Sequence, residues 1–276
     1  MTNWKTYRLG NICDLVAGFA FKSKDFGNYP NKVVKIADIQ PPVVNTNELV
    51  GVELSNYDTV KLSKYLVSKG DYVLAMTGAT IGKLGRLTDD VEAYINQRVL
   101  TFRPIESIVD KDYLYYQLCS DKFNKYILNH IDSETAQPNI SAGSVGGFEI
   151  SLPPLDEQRR IAGILGAIDD KIENNRRINA NLESQAQALF DNLILDTNLK
   201  YSPISEIEHI IETGRRPKGG VANITAGVPS IGAENIKGLG KYDYSKTKYI
   251  TSEFAESLKK GVIKGYELLI YKDGGK

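Results

Sequence analysis

The run GATIGK, Gly78 to Lys83, carries the residue types of a phosphate-binding loop, glycines for backbone freedom and a lysine for charge. Its spacing does not suit a nucleotide. Gly78 and Gly82 stand one residue too close, and Leu84 follows Lys83 where a metal-bound phosphate needs a hydroxyl. What remains is a glycine-rich turn between strands: either Thr80, Lys83 or the loop amides meet a backbone phosphate of a nucleic acid, or it is a plain hairpin. INQRV, Ile95 to Val99, reads as a strand with Ile95, Gln97 and Val99 on one face and Asn96 and Arg98 on the other. Arg98 suits phosphate or guanine and Asn96 suits adenine, an ion-paired sheet arginine being the alternative. Lys22, Ser23 and Lys24 follow the aromatics Phe19 and Phe21 in GFAFKS, a basic loop on an aromatic base that fits backbone contact, although solvated lysines are commoner. In QPNIS, Gln137 and Asn139 flank a proline on a loop, where amides read base edges or cap turns, as Ser141 can cap the next short segment.

Catalytic chemistry finds less support. His130, His209, Cys13 and Cys119 are scattered with no zinc-ligand spacing, and no serine or cysteine has a clear partner arrangement. No glycine-rich cofactor loop follows a first strand, so neither metal, cofactor nor catalysis is expected. The net charge is zero, so a nucleic-acid partner would have to be met by local patches. With 42% hydrophobic and 25% charged residues, disorder and fibre are disfavoured. No apolar run approaches the roughly 18 residues of a membrane span, and no signal peptide opens the chain. A cytoplasmic protein with two reduced, buried thiols is expected.

Positioning these residues requires a scaffold. Residues 1–152 alternate short strands, Val33–Ile39, Tyr72–Thr77, Ala93–Arg103 and Phe148–Leu152, with one amphipathic helix over Asp110–Ile131 carrying Leu114, Leu118, Ile127 and Ile131, an α+β pattern without βαβ rhythm. Pro153 and Pro154 then fix an extended approach, and Asp156 and Glu157 complement the positive end of a helix reaching about Leu195. Ile161, Leu165, Ile168, Ile172, Asn175, Asn179, Leu182, Ala186, Leu189 and Leu193 recur at spacings of 4 and 3, a heptad seam. About 40 residues make a rod of roughly 60 Å, longer than the about 35 to 40 Å of a 150-residue domain. Its seam needs a second helix, with the asparagines setting register, unless it is an ordinary core helix.

The chain also repeats itself. YRLGNICDLVAG (Tyr7 to Gly18) and SPISEIEHIIETG (Ser202 to Gly214) share an apolar pattern at an offset of 195, and Gly70 and Gly265 stand at the same offset. The expected layout is a domain over 1–152, a spacer helix over 153–200, and the opening part of a second, similar domain over 201–276, incomplete because the second copy stops early.

LPPLDEQRRIAGILGAIDDKI followed by LESQAQALFDNLI, together with GFAFKS, MTGATIGKLG, INQRV and QPNIS, resembles the DNA-specificity subunit of type I restriction-modification systems. The resemblance covers the whole chain. It implies two target-recognition domains, each reading one half of a split site in double-stranded DNA, held apart by paired helices that dock methyltransferase (M) subunits, with a restriction (R) subunit joining the complex. It implies a non-catalytic subunit, the assembled complex supplying DNA adenine methyltransferase and endonuclease activity. Two other readings stay open: a coiled-coil scaffold with protein-binding ends, and a half-length specificity subunit acting as a homodimer through the central helix on a palindromic split site.

Overall fold

The computed structural model describes residues 4–131, 138–195, 202–206, 208–221, 223–238 and 240–270. They form two compact units, 1–189 and 190–276. In the first unit the strands are β1 (Lys5–Arg8), β2 (Cys13–Ala17), β3 (Phe26–Gly27), β4 (Asn31–Val34), β5 (Ile39–Gln40), β6 (Val43–Val44), β7 (Val50–Val52), β8 (Leu66–Val67), β9 (Tyr72–Ala75), β10 (Leu84–Arg86), β11 (Ala93–Ile95), β12 (Val99–Pro104) and β13 (Glu149–Leu152). The helices are α1 (Thr59–Leu62), α2 (Lys111–Leu118), α3 (Asp121–Asn129), α4 (Ala142–Gly146) and α5 (Leu155–Leu195).

A six-stranded sheet, β2-β12-β9-β10-β6-β5, lies at the centre beside a five-stranded one, β3-β7-β4-β11-β8. Its strand β9 reads Tyr-Val-Leu-Ala without polar alternation, as a strand covered on both faces should. Tyr72 and Leu74 join Phe102, Leu114, Leu118 and Phe123 in the helical layer, whereas Val73 and Ala75 join Val34, Ala93 and Ile95 of the five-stranded sheet. The architecture is α+β.

Three expectations need correction. The strand over 93–103 is two strands, β11 and β12, in different sheets, with Gln97 and Arg98 in the turn between them. Gln97 is accordingly exposed and does not sit with Ile95 and Val99. The helix over 110–131 is two, because Ser120 accepts from the Phe123 N–H at 3.3 Å and starts α3 afresh. Cys13 and Cys119 are both free thiols, but only Cys13 is buried, and burial pushes its thiol up to about 12.

Asp71 is a buried carboxylate beneath this sheet. Lys111 Nζ approaches it at 2.7 Å, Arg103 Nη1 at 3.2 Å, and the Ser68 N–H donates at 2.9 Å. Burial alone would raise its pKa, but these three partners together hold it below the ordinary carboxylate value. A lowered folded-state pKa stabilises above the unfolded value of about 3.9 and is lost as pH falls through the folded value. The first unit should therefore lose melting temperature as the pH drops below about 4. In a pH series of thermal melts, Asp71→Asn should flatten that loss while costing about 1–3 kcal/mol at neutral pH.

The second unit has β14 (Val228–Ser230) antiparallel to β17 (Lys248–Ile250), β15 (Ile236–Gly238) antiparallel to β16 (Lys241–Tyr242), and α6 (Ser252–Glu256), capped by Thr251. Its order repeats β4, β5, β6, β7 and α1. The Gly232 N–H donates to Asn235 Oδ1 at 2.9 Å as the Lys35 N–H donates to Asp38 Oδ2 at 2.7 Å. The Asp243 N–H donates to the Asn235 carbonyl at 2.8 Å as the Asn45 N–H does to that of Asp38. These matched positions are 197 and 198 apart, whereas the 3-10 turns Leu9–Asn11 and Ile204–Glu206 keep the offset of 195.

Candidate nucleic-acid interface

The GATIGK run closes the hairpin between β9 and β10. The Ala75 N–H donates to the Lys83 carbonyl and the Gly82 N–H to the Ala75 carbonyl, both at 2.9 Å. Gly78 at φ 70° and Gly82 at φ 81° occupy the left-handed region that makes this tight return possible. Thr80 Oγ1 donates to the Thr77 carbonyl at 3.2 Å, so its hydroxyl proton is used within the loop, while Lys83 is exposed.

Two further segments are zipped to this hairpin. Thr77 and Asn139 form an antiparallel bridge, with the Gly78 N–H and Thr77 Oγ1 both donating to the Pro138 carbonyl at 3.0 Å. The Met76 N–H donates to the Arg98 carbonyl at 2.9 Å, and the Val99 N–H to that of Asn96 at 2.8 Å, closing the turn that exposes Gln97 and Arg98. Asn96 in turn bridges Phe19. Gly18 is required there, since a β-carbon would lie 2.2 Å from the Asn96 carbonyl oxygen.

Phe19 carries the fourth segment. It packs edge-on against Phe21 and Tyr57, at ring separations of 5.0 and 5.6 Å, and Lys22, Ser23 and Lys24 are exposed above this aromatic base. The Tyr57 hydroxyl accepts from the Lys22 N–H at 3.0 Å and donates to the buried Asp25, which fixes the loop. The structure thus brings together the hairpin, the 96–98 turn and Asn139 directly, and links Lys22–Lys24 to them through Phe19. Gln137 lies outside the described residues.

Electrostatically the site differs from the rest of the sheet. Arg86, Arg103 and Lys111 are paired with Asp112 or Asp71. Among the described residues, Lys22, Lys24, Lys83 and Arg98 have no carboxylate partner, and the exposed Arg98 is not the ion-paired sheet arginine of the alternative reading. Asn96 is half-buried. Asn139 has its Oδ1 buried without a partner, so reading a base through that oxygen would need the amide to swing outward. Ser141 caps α4, its hydroxyl accepting from the Ser144 N–H at 2.9 Å. Among the described residues there is no group of three His, Cys, Asp or Glu side chains that could hold a metal, and no helix long and apolar enough to cross a membrane.

The second candidate surface is α5, one continuous helix of 41 residues. Ile161 packs against the domain core and Leu165 is half-buried, so the seam begins later than its heptad pattern does. From there Ile168, Ile172, Asn175, Asn179, Leu182, Leu189 and Leu193 are exposed, which removes the core-helix alternative. Ile164, Ile178 and Phe190 widen the strip and lie outside the heptad positions. Also unforeseen is Gln158, only 1% exposed: its Oε1 accepts from the Asp110 N–H at 2.9 Å, and its Nε2 donates to the carbonyls of Pro153 at 2.8 Å and Ile108 at 3.2 Å.

Comparison with known proteins gives a family model described as "Type I restriction modification DNA specificity domain", matching residues 1–184. The specificity subunit of type I restriction enzyme HindI of Haemophilus influenzae is 30% identical over 199 residues, 71% of this chain and 42% of that protein. The MjaVIII specificity subunit of Methanocaldococcus jannaschii is 30% identical over 205 residues, 72% of this chain and 47% of that one. The chain thus spans less than half the length of either relative. A crystal structure of a type I restriction-modification S subunit from M. genitalium aligns over 91% of this chain and 70% of its own, at 18% identity and a TM-score of 0.48.

Proposed function

Because this chain belongs to the type I restriction-modification DNA specificity family, we propose that it is a non-catalytic DNA-recognition subunit of a cytoplasmic complex, directing methyltransferase and restriction subunits to a split DNA site. Residues 1–152 are one recognition domain, 153–200 the spacer, and 201–276 part of a second recognition domain. Lys22, Ser23, Lys24, Thr80, Lys83, Asn96, Arg98, Gln137 and Asn139 form the DNA surface of the first, with the lysines on phosphates and Arg98 at a base edge or phosphate. The observation that supports this most is the convergence of exposed, unpaired Lys83 and Arg98 on two loops tied by backbone hydrogen bonds. A second reading, two copies of this chain paired through α5 on a palindromic split site, draws on the exposed seam.

The test is DNA retention as a function of salt. Lys83→Ala is expected to weaken all sequences alike and to reduce the slope of log affinity against log salt by about 0.9, one phosphate contact. Arg98→Ala does the same if it grips phosphate; at a guanine it instead costs about 1–3 kcal/mol and relaxes choice at one base pair. Binding indifferent to DNA sequence and salt would favour a protein scaffold and defeat the proposal.

A further inference from the structure

Helix α5 is anchored to the first unit at two levels. Gln158 ties its first turn to the loop before α2, and further along the Tyr116 hydroxyl on α2 donates to Asp169 Oδ2 at 2.8 Å. Positions 158 and 169 are 11 residues apart, about three turns and 16 Å, so both anchors lie on one helix face. Between them Ala162 is buried and Gly166 faces the tyrosine, a β-carbon there standing at an ordinary contact distance of 3.8 Å from its hydroxyl. Helix α2 is itself held firmly, capped by Asp110 and tied to β13 through Tyr113, whose hydroxyl donates to the Ser151 carbonyl at 3.3 Å. Burial and the Asp169 carboxylate both raise the Tyr116 pKa, so the phenol keeps its proton and remains the donor.

From Asp169 to Leu193 the side chains are exposed, and the helix continues to Leu195. The 26 steps from Asp169 to Leu195 extend about 39 Å. A change of about 10° at the joint moves the far end by about 7 Å, which is two base-pair steps of about 3.4 Å. An exposed tyrosine–carboxylate pair adds little to folding stability, but at this position it acts through a long lever.

We propose that Tyr116 and Asp169 are positioning residues for site spacing: by fixing the direction in which α5 leaves the first unit, they restrict the separation between half-sites that the complex accepts. This rests on the DNA-specificity reading above. The joint is measured without DNA by spin labels on Lys69→Cys and Ala188→Cys in the full chain, with exposed Cys119→Ser, buried Cys13 retained and excess unlabelled chain present. Tyr116→Phe and Asp169→Ala should broaden the distance distribution about twofold by freeing a hinge, and Asp169→Asn, which keeps an acceptor, should restore it. Melting temperatures should stay within about 2 °C, excluding misfolding. On split sites of varied spacing, with methyltransferase subunits present, the preference for the native spacing over one base pair more or less should fall about threefold in the broadened variants, in keeping with the small energy of an exposed pair. Unchanged distances in both variants would overturn the joint. Broadened distances with unchanged spacing preference would overturn its role in spacing. A wild-type chain with no sequence preference would defeat the specificity reading, and the spacing role with it, while the label distances still report the joint.

Discussion

Replacing Gln158 with methionine is expected to cost about 3–5 kcal/mol, because the volume is kept while the Asp110 N–H and the carbonyls of Ile108 and Pro153 lose their buried partner. Each unsatisfied buried group costs about 1–3 kcal/mol, against a total of about 5–15 kcal/mol for a domain. The first unit should melt about 10–15 °C lower. Gln158→Glu discriminates the mechanism: its carboxylate can still accept from Asp110 but faces two carbonyl oxygens with no proton to give. It should therefore be no better than methionine at neutral pH, and should recover as acid protonates it. Thermal denaturation of the three proteins decides the matter. A methionine variant melting within about 2 °C of the parent would mean that this amide does not hold the helix to the domain.

Gln158 also marks where the sequence stops being legible. In DEQRR a glutamine among charges reads as solvated, and its burial depends on a loop some 50 residues earlier, which no local pattern announces. The length of α5 was plain, since the heptads run on and the prolines fix its start, and the α+β class followed from strand alternation beside amphipathic helix. The failures are equally physical. Ile95, Gln97 and Val99 keep a strand's period through a turn because the strands on either side continue it, hiding the switch between sheets. Leu114, Leu118 and Ile127 keep a helix's period across the Ser120 break because α2 and α3 pack on the same core. Gly78–Lys83, Asn96–Arg98 and Asn139 were visible as motifs. Their convergence was not, being made by backbone hydrogen bonds such as Met76 to Arg98 and Ile140 to Met76, between segments 22 to 64 residues apart.

The purified chain should self-associate through α5 or depend on a methyltransferase subunit to cover it, and Ile168→Asp with Ile172→Asp should abolish that association. Both isoleucines are about half exposed, at 51% and 45%, and Leu182, Leu189 and Leu193 more so, at 56%, 65% and 68%. Full burial of such a side chain contributes about 1.5–3 kcal/mol, so completing half-burial at these five positions contributes on the order of 4–8 kcal/mol per helix. Association itself costs about 4–15 kcal/mol, which leaves a narrow margin and makes the seam sensitive to one or two residues. A carboxylate buried there without a partner costs several kcal/mol, more than that margin. Because residues 168 and 172 are exposed and are not members of the domain core, the double variant should keep its melting temperature while its mass by light scattering falls to that of one chain. Helix propensity differs little between isoleucine and aspartate, so the helix itself should survive. A parent chain that is already a stable monomer and binds no methyltransferase subunit, or a double variant that still associates, would show that this strip is not what holds the partners together.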